Sequence, residues 1–102
     1  MYTPKIALTK SEIEFLILSI RNVLGENTKI LIFGSRVRGT ARKFSDVDIA
    51  VTRQKPIPSR DLTKIKEEIN NSKFRYLVDI VDLNSVSAEF RKVVEETGVE
   101  VG

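Results

Sequence analysis

The chain contains no cysteine and no histidine. Without cysteine there is no disulfide framework and no thiolate metal site, a usage that suits a reducing compartment. Without histidine there is no imidazole ligand and no imidazole base. Histidine-dependent triads, zincin-type zinc sites and phosphohistidine chemistry are therefore excluded. Catalysis has to rest on carboxylates, hydroxyls, lysine, arginine or backbone amides. Any metal has to be a hard ion held by oxygen, Mg²⁺ or Mn²⁺. Long apolar runs are missing too: no segment approaches the roughly 20 residues that a membrane-spanning helix needs. The opening Met1-Tyr2-Thr3-Pro4-Lys5 has no signal-peptide pattern. These absences lead us to expect a soluble, cytoplasmic protein that does not use a membrane.

What is present suits one small domain. The 102 residues, 41% of them apolar, can build a single core but not a second substrate-binding domain. We therefore treat residues 1–102 as one domain. The net charge of +3 suits a polyphosphate ligand or an acidic partner. It is too small an excess to indicate nucleic-acid binding.

Thr9-Lys10-Ser11-Glu12 has capping-box spacing and opens a helix. Ile13, Leu16, Ile17, Ile20 and Leu24 form its apolar stripe, and Gly25 ends it. Phe15 and Leu18 fall off that stripe; either Ile6, Leu8 or another element covers them, or they form a partner or dimer surface. Lys29 to Phe33 is almost wholly apolar and predicts a strand buried on both faces. A polar, glycine-punctuated segment runs from Gly34 to Ser45. Asp46 to Val51 alternates with period two and predicts a second strand. Pro56 and Pro58 break the chain before a helix over about 60–70, with Leu62, Ile65 and Ile69 on one face. Phe74 to Leu83 predicts the third strand. Ser85 or Ser87 caps a last helix carrying Phe90, Val93 and Val94, which Gly98 ends, and Val99 to Val101 can add a short strand. The order implies an α+β (mixed α/β) domain: a small mixed sheet with helices on one face and the other open for chemistry.

The chemistry concentrates in the middle of the chain. Asp46 and Asp48 are two apart on a strand, so both carboxylates share one face while Val47, Ile49 and Val51 point the other way. Two carboxylates that close repel unless a cation lies between them; otherwise they are the solvated side of an amphipathic strand. Gly34-Ser35 follows a buried strand, where the chain must turn. Glycine permits the turn and a close backbone approach, and Ser35 can open a short helix. Taken alone, such a pair is an ordinary strand-to-helix turn.

Together these pieces carry a resemblance. Ten residues separate Ser35 from Asp46, and Gly39 and the Ser45-Asp46 pair stand at further fixed positions. The segment from Gly34 to Asp48 is similar to the signature of minimal nucleotidyltransferases (MNT) in the polymerase-beta superfamily. The resemblance implies a polymerase-beta-like nucleotidyltransferase core and a third carboxylate on a neighbouring strand. Asp79 and Asp82 are the candidates. Val78 and Ile80 should face the helices, so Asp79 faces the open side and is our choice, while Asp82 suits a turn.

The family mechanism implied is transfer of a nucleotide, with ATP expected as donor, to a hydroxyl, releasing pyrophosphate. Asp46, Asp48 and Asp79 would ligate two Mg²⁺ ions, and Asp79 could also take the hydroxyl proton. Gly34, Ser35 and the nearby Arg36 would hold the triphosphate, with Arg38, Arg42 and Lys43 crowding the same loop. Stand-alone MNT proteins are commonly paired with HEPN-domain toxins, so the first expectation is an antitoxin that adds AMP to its HEPN partner. An antibiotic-type enzyme with a separate acceptor-binding subunit, and a non-catalytic nucleotide- or partner-binding module, are the alternatives. A homo-oligomer stays open.

Overall fold

A computed structural model describes residues 6–102; the Met1–Lys5 segment, read above as lacking a signal-peptide pattern, lies outside the described residues. The elements follow the order α1 (Lys10–Leu24), β1 (Lys29–Phe33), α2 (Ser35–Arg38), β2 (Val47–Thr52), α3 (Ser59–Asn70), β3 (Val78–Asp82), α4 (Ala88–Thr97) and β4 (Val99–Val101). Among the described residues no helix is long and apolar enough to cross a membrane.

Local chemistry sets several boundaries as expected. Thr9 and Glu12 close a full capping box, the Glu12 N–H donating to Thr9 Oγ1 (3.1 Å) and the Thr9 N–H to Glu12 Oε1 (2.8 Å). Of the two candidate serines, Ser87 caps α4, accepting from the Phe90 N–H at 3.2 Å. Gly25 ends α1 at φ 102°, a conformation that disfavours side-chain-bearing residues.

The four strands lie in the order β3-β2-β1-β4. β1 pairs antiparallel with both β2 and β4, and β2 pairs parallel with β3. A parallel pair needs a crossover, and α3 supplies it. Leu16, Ile20 and Leu24 of α1 and Ile65 and Ile69 of α3 are buried in one cluster with Ile30, Ile32, Val47, Ile49, Val51, Val78 and Ile80 of the sheet. Val47, Ile49, Val51, Val78 and Ile80 among them are the positions that strand parity assigned to the core.

α4 is the exception to the expectation that the helices share one face. Its Val94 is buried with Leu31 and Ala50, whose parity puts them on the opposite face, and Phe90 meets Phe33 edge-on at 5.8 Å. The reason is topological. The chain must travel from β3 at one rim to β4 at the other, and the first face is already filled by α1 and α3. α4 thus covers one end of the second face and leaves the other end open.

The third strand is shorter than the expected span from Phe74, starting only at Val78. Phe74 stacks on Phe15 (5.5 Å) and Tyr76 meets Phe74 edge-on, so these aromatics cover α1 instead of extending a ladder. Asn70 holds the strand start, accepting the Val78 N–H at 3.0 Å. Phe15 is therefore covered in part by Phe74, whereas Leu18 stays 70% exposed.

Arg36 departs most from expectation. It is 5% exposed, its Nη1 donates to the Ala7 carbonyl (3.0 Å) and its Nη2 to the Ser45 carbonyl (2.7 Å). Its guanidinium lies 3.9 Å from the Tyr76 ring centroid. A buried charge is tolerated only when hydrogen-bonded, and here the donors and the aromatic face share that task. Arg36 ties the segment before α1, the loop before β2 and the approach to β3 together. Replacing Arg36 by Ala should cost about 2–4 kcal/mol in stability, read from the urea midpoint, because charge-assisted bonds are lost and two carbonyls stay behind. Arg36→Lys should recover only part of this, since an ammonium lacks the planar fork.

Candidate active site

The open end of the second face is organised by strand register. Phe33 pairs with Asp48 across β1 and β2, and Asp48 pairs with Asp79 across β2 and β3. The three residues form one cross-strand row at the end where α2 enters. The row beside it, Leu31, Ala50 and Val81, lies beneath α4. Asp46 stands two residues before Asp48, just ahead of β2, and is exposed. Asp48 and Asp79 thus lie side by side, and the charge of Asp46 is close enough to act on Asp48.

Gly34 joins this region from the end of β1. Its φ of 78° and ψ of −151° suit glycine alone. A Cβ there would collide with a carboxylate oxygen of Asp48 and sit 3.3 Å from Asp48 Cγ. The Gly34 backbone is therefore packed directly against Asp48. Ser35 follows as the first residue of α2, half-buried beside the same carboxylate row. α2 ends at Gly39 in the left-handed region, φ 78°.

Ser45 has a role the motif alone did not reveal. Its hydroxyl accepts the Arg42 N–H at 2.8 Å, and its carbonyl accepts Arg36. It closes the turn that delivers the chain to Asp46. Arg36 itself is not part of the carboxylate face. The expectation that its side chain holds phosphate is corrected, because Nη1 and Nη2 are committed to backbone carbonyls and Nε is buried without a partner. Asp82 behaves as a turn residue: it is 8% exposed and accepts from the Asn84 N–H (2.9 Å) and the Ser85 hydroxyl (3.1 Å).

Asp48 feels the crowding. Burial pushes its carboxyl above the ordinary carboxylate value, the negative charges of Asp79 and Asp46 push it further, and Arg38 opposes them. Asp79 faces a cation that sequence reasoning missed: Lys66 of α3 places its Nζ 3.1 Å from Asp79 Oδ1. Nothing in the local sequence marks Lys66, because only the crossover brings it to β3. Among the described residues no three acidic side chains converge into a ready-made metal cage. The donor set nevertheless fits a hard divalent ion: it is all oxygen, mutually repelling, and cradled by a glycine with no room for a side chain.

The raised value has a consequence for stability. The folded state holds the Asp48 proton more tightly than the unfolded chain, so stability falls as pH rises from the unfolded value through the folded one, then levels off. Asp48→Asn should therefore raise the melting temperature of metal-free protein at neutral pH. That advantage should shrink as pH falls through the titration of Asp48, as melting curves across an acid-to-neutral series would show.

Comparison with known proteins agrees with this geometry. Residues 17–101 match the family described as polymerase beta, nucleotidyltransferase. The chain is 30% identical over 92 residues to the probable protein adenylyltransferase MntA of Haemophilus influenzae, covering 90% of this chain and 81% of that protein. A toxin–antitoxin crystallised with AMP-PNP has a chain of the same fold, with a TM-score of 0.74 and 28% identity over 91% of this chain and 72% of that one. The fold recurs, at 22% identity and a TM-score of 0.72, in a complex of tri-AMPylated Shewanella oneidensis HEPN toxin with MNT antitoxin, covering 91% of this chain and 71% of that one. The family match spans the Gly34–Asp48 segment and the β3 carboxylate, and the chain accordingly belongs to the polymerase-beta nucleotidyltransferase family and is a nucleotidyltransferase.

Proposed function

We propose that residues 1–102 act as a single minimal nucleotidyltransferase domain that moves AMP from ATP to a hydroxyl on a HEPN-type toxin, and so serves as its antitoxin. The observation that carries this reading is the in-register pairing of Asp48 with Asp79 beside Gly34. Similarity to the probable protein adenylyltransferase of Haemophilus influenzae supports AMP as the group and a protein as the acceptor. The toxin–antitoxin crystallised with AMP-PNP supports the partner class and an adenine nucleotide. We assign the activity to the cytoplasm, where ATP is made available to such a pair.

In the reaction the acceptor oxygen bonds to the α-phosphorus, and the bond from that phosphorus to the bridging oxygen of the β-phosphate breaks. Pyrophosphate leaves, and the hydroxyl proton passes to Asp79. Mg²⁺ held by Asp46, Asp48 and Asp79 would neutralise the developing charge and align the attacking and leaving oxygens. Gly34 lets the backbone approach the triphosphate, and Ser35 offers its hydroxyl and amide to it. Arg38, exposed at the end of α2 and close enough to influence Asp48, is better placed than Arg36 to meet phosphate.

With α-labelled ATP, Mg²⁺ and a HEPN-type toxin that this chain binds, label should appear on the toxin. It should be absent with an Asp46→Asn/Asp48→Asn double variant that still binds that partner. A stable complex with no label from the unaltered protein would favour a binding-only module. Gly34→Ala should slow labelling by roughly a hundredfold, because the new methyl displaces the Asp48 carboxylate by a large fraction of an ångström.

A further inference from the structure

Lys66 is the unexplained charge at this site. β3 is the rim strand of the sheet, so a long side chain from α3, on the core face, can reach around it to Asp79 on the other face. The contact is 3.1 Å, and both side chains are about half exposed, 49% for Lys66 and 60% for Asp79. Such a pair is weak and easily exchanged. Lysine suits exchange better than arginine would, being a single charge on a flexible stem with no fork to lock in place. Asp79 is also the partner of Asp48 in the ladder, and its charge is among those that push the Asp48 carboxyl up. Any cation on Asp79 therefore relieves the whole cluster.

We propose that Lys66 is a built-in counter-ion, competing with the divalent ion for Asp79 and so setting how tightly the nucleotide-free site takes metal. This rests on the reading of Asp46, Asp48 and Asp79 as metal ligands. Metal-free, Lys66 neutralises Asp79 and limits the repulsion with Asp48. When a divalent ion arrives, Lys66 is displaced from Asp79 or is left repelling the new charge. In either case its presence weakens binding. Lys66 acts only through its charge on Asp79 and takes no part in bond making.

The test is Mn²⁺ binding to nucleotide-free protein at low ionic strength, followed by the loss of the free-ion resonance signal. Lys66→Gln should bind Mn²⁺ roughly two- to fivefold more tightly than the unaltered protein, the range expected for loss of an exposed ion pair. Lys66→Arg should bind Mn²⁺ no more tightly than the unaltered protein, because its fork holds Asp79 at least as firmly. Lys64→Gln, which removes the same charge from the same helix but not from Asp79, should change affinity less than Lys66→Gln. In an Asp79→Asn background the effect of Lys66→Gln should vanish. Equal effects of the two glutamine variants would reduce Lys66 to one charge among many and overturn the proposal. Weaker binding by Lys66→Gln would also overturn it, showing that Lys66 instead orients Asp79 for the ion. If none of these proteins binds Mn²⁺, the metal-ligand reading itself falls and the Lys66 proposal with it.

Discussion

Pairing β2 with β3 in parallel, in register at Asp48 and Asp79, holds two carboxylates side by side at the open end of a sheet. Like charges this close oppose folding unless something compensates, and much of the molecule is arranged as compensation or support. The buried alternation of Val47, Ile49 and Val51 against Val78 and Ile80 anchors the two strands from behind. Gly34 leaves the space that Asp48 occupies. Arg38 and Lys66 bring positive charge from α2 and α3. The apolar face supplies the rigidity, and the polar face spends some of it on a juxtaposition that water alone would not favour.

The sheet order explains where the chemistry can occur. α1 and α3 fill one face, and α4, returning across the sheet to β4, fills one end of the other. The uncovered end is the one where α2 enters and where the carboxylate row lies. α2 is only four residues long, and Arg36 within it bonds to the Ala7 and Ser45 carbonyls outside it. The glycine–serine turn is thereby fixed relative to the carboxylates by a residue that faces away from them.

Much of this was readable beforehand because it depends on short-range periodicity. Parity along β2 separated Asp46 and Asp48 from the core valines, and the same parity chose Asp79 over Asp82. Thr9 with Glu12 marked one helix start, and Ser85 or Ser87 another, the choice between the two serines falling to Ser87 only in the fold. What could not be read depends on tertiary neighbours. An arginine next to a glycine–serine turn has the same sequence signature whether it points to phosphate or into the protein. The direction of Arg36 was decided by Ala7, Ser45 and Tyr76, which the chain brings from before, beside and well beyond it. Lys66 meets Asp79 only because α3 is the crossover of a parallel pair. Phe74 and Tyr76 have strand-forming side chains, yet stacking on Phe15 and covering Arg36 removed them from the ladder. The side taken by α4 followed from which face was already occupied.

The shortening of β3 also has a bearing on self-association. β3 is one rim of the sheet, and a long, flat, apolar rim invites another chain to add a strand. Here the rim strand is five residues long, and Phe74 and Tyr76 ahead of it pack in the aromatic cluster instead of extending it. Asp79 is the second of these five residues, and Lys66 reaches its carboxylate. A second molecule docking its backbone along this rim would have to dehydrate that ion pair. The Lys66–Asp79 pair thus also opposes strand addition along this rim by a neighbouring copy of the same protein.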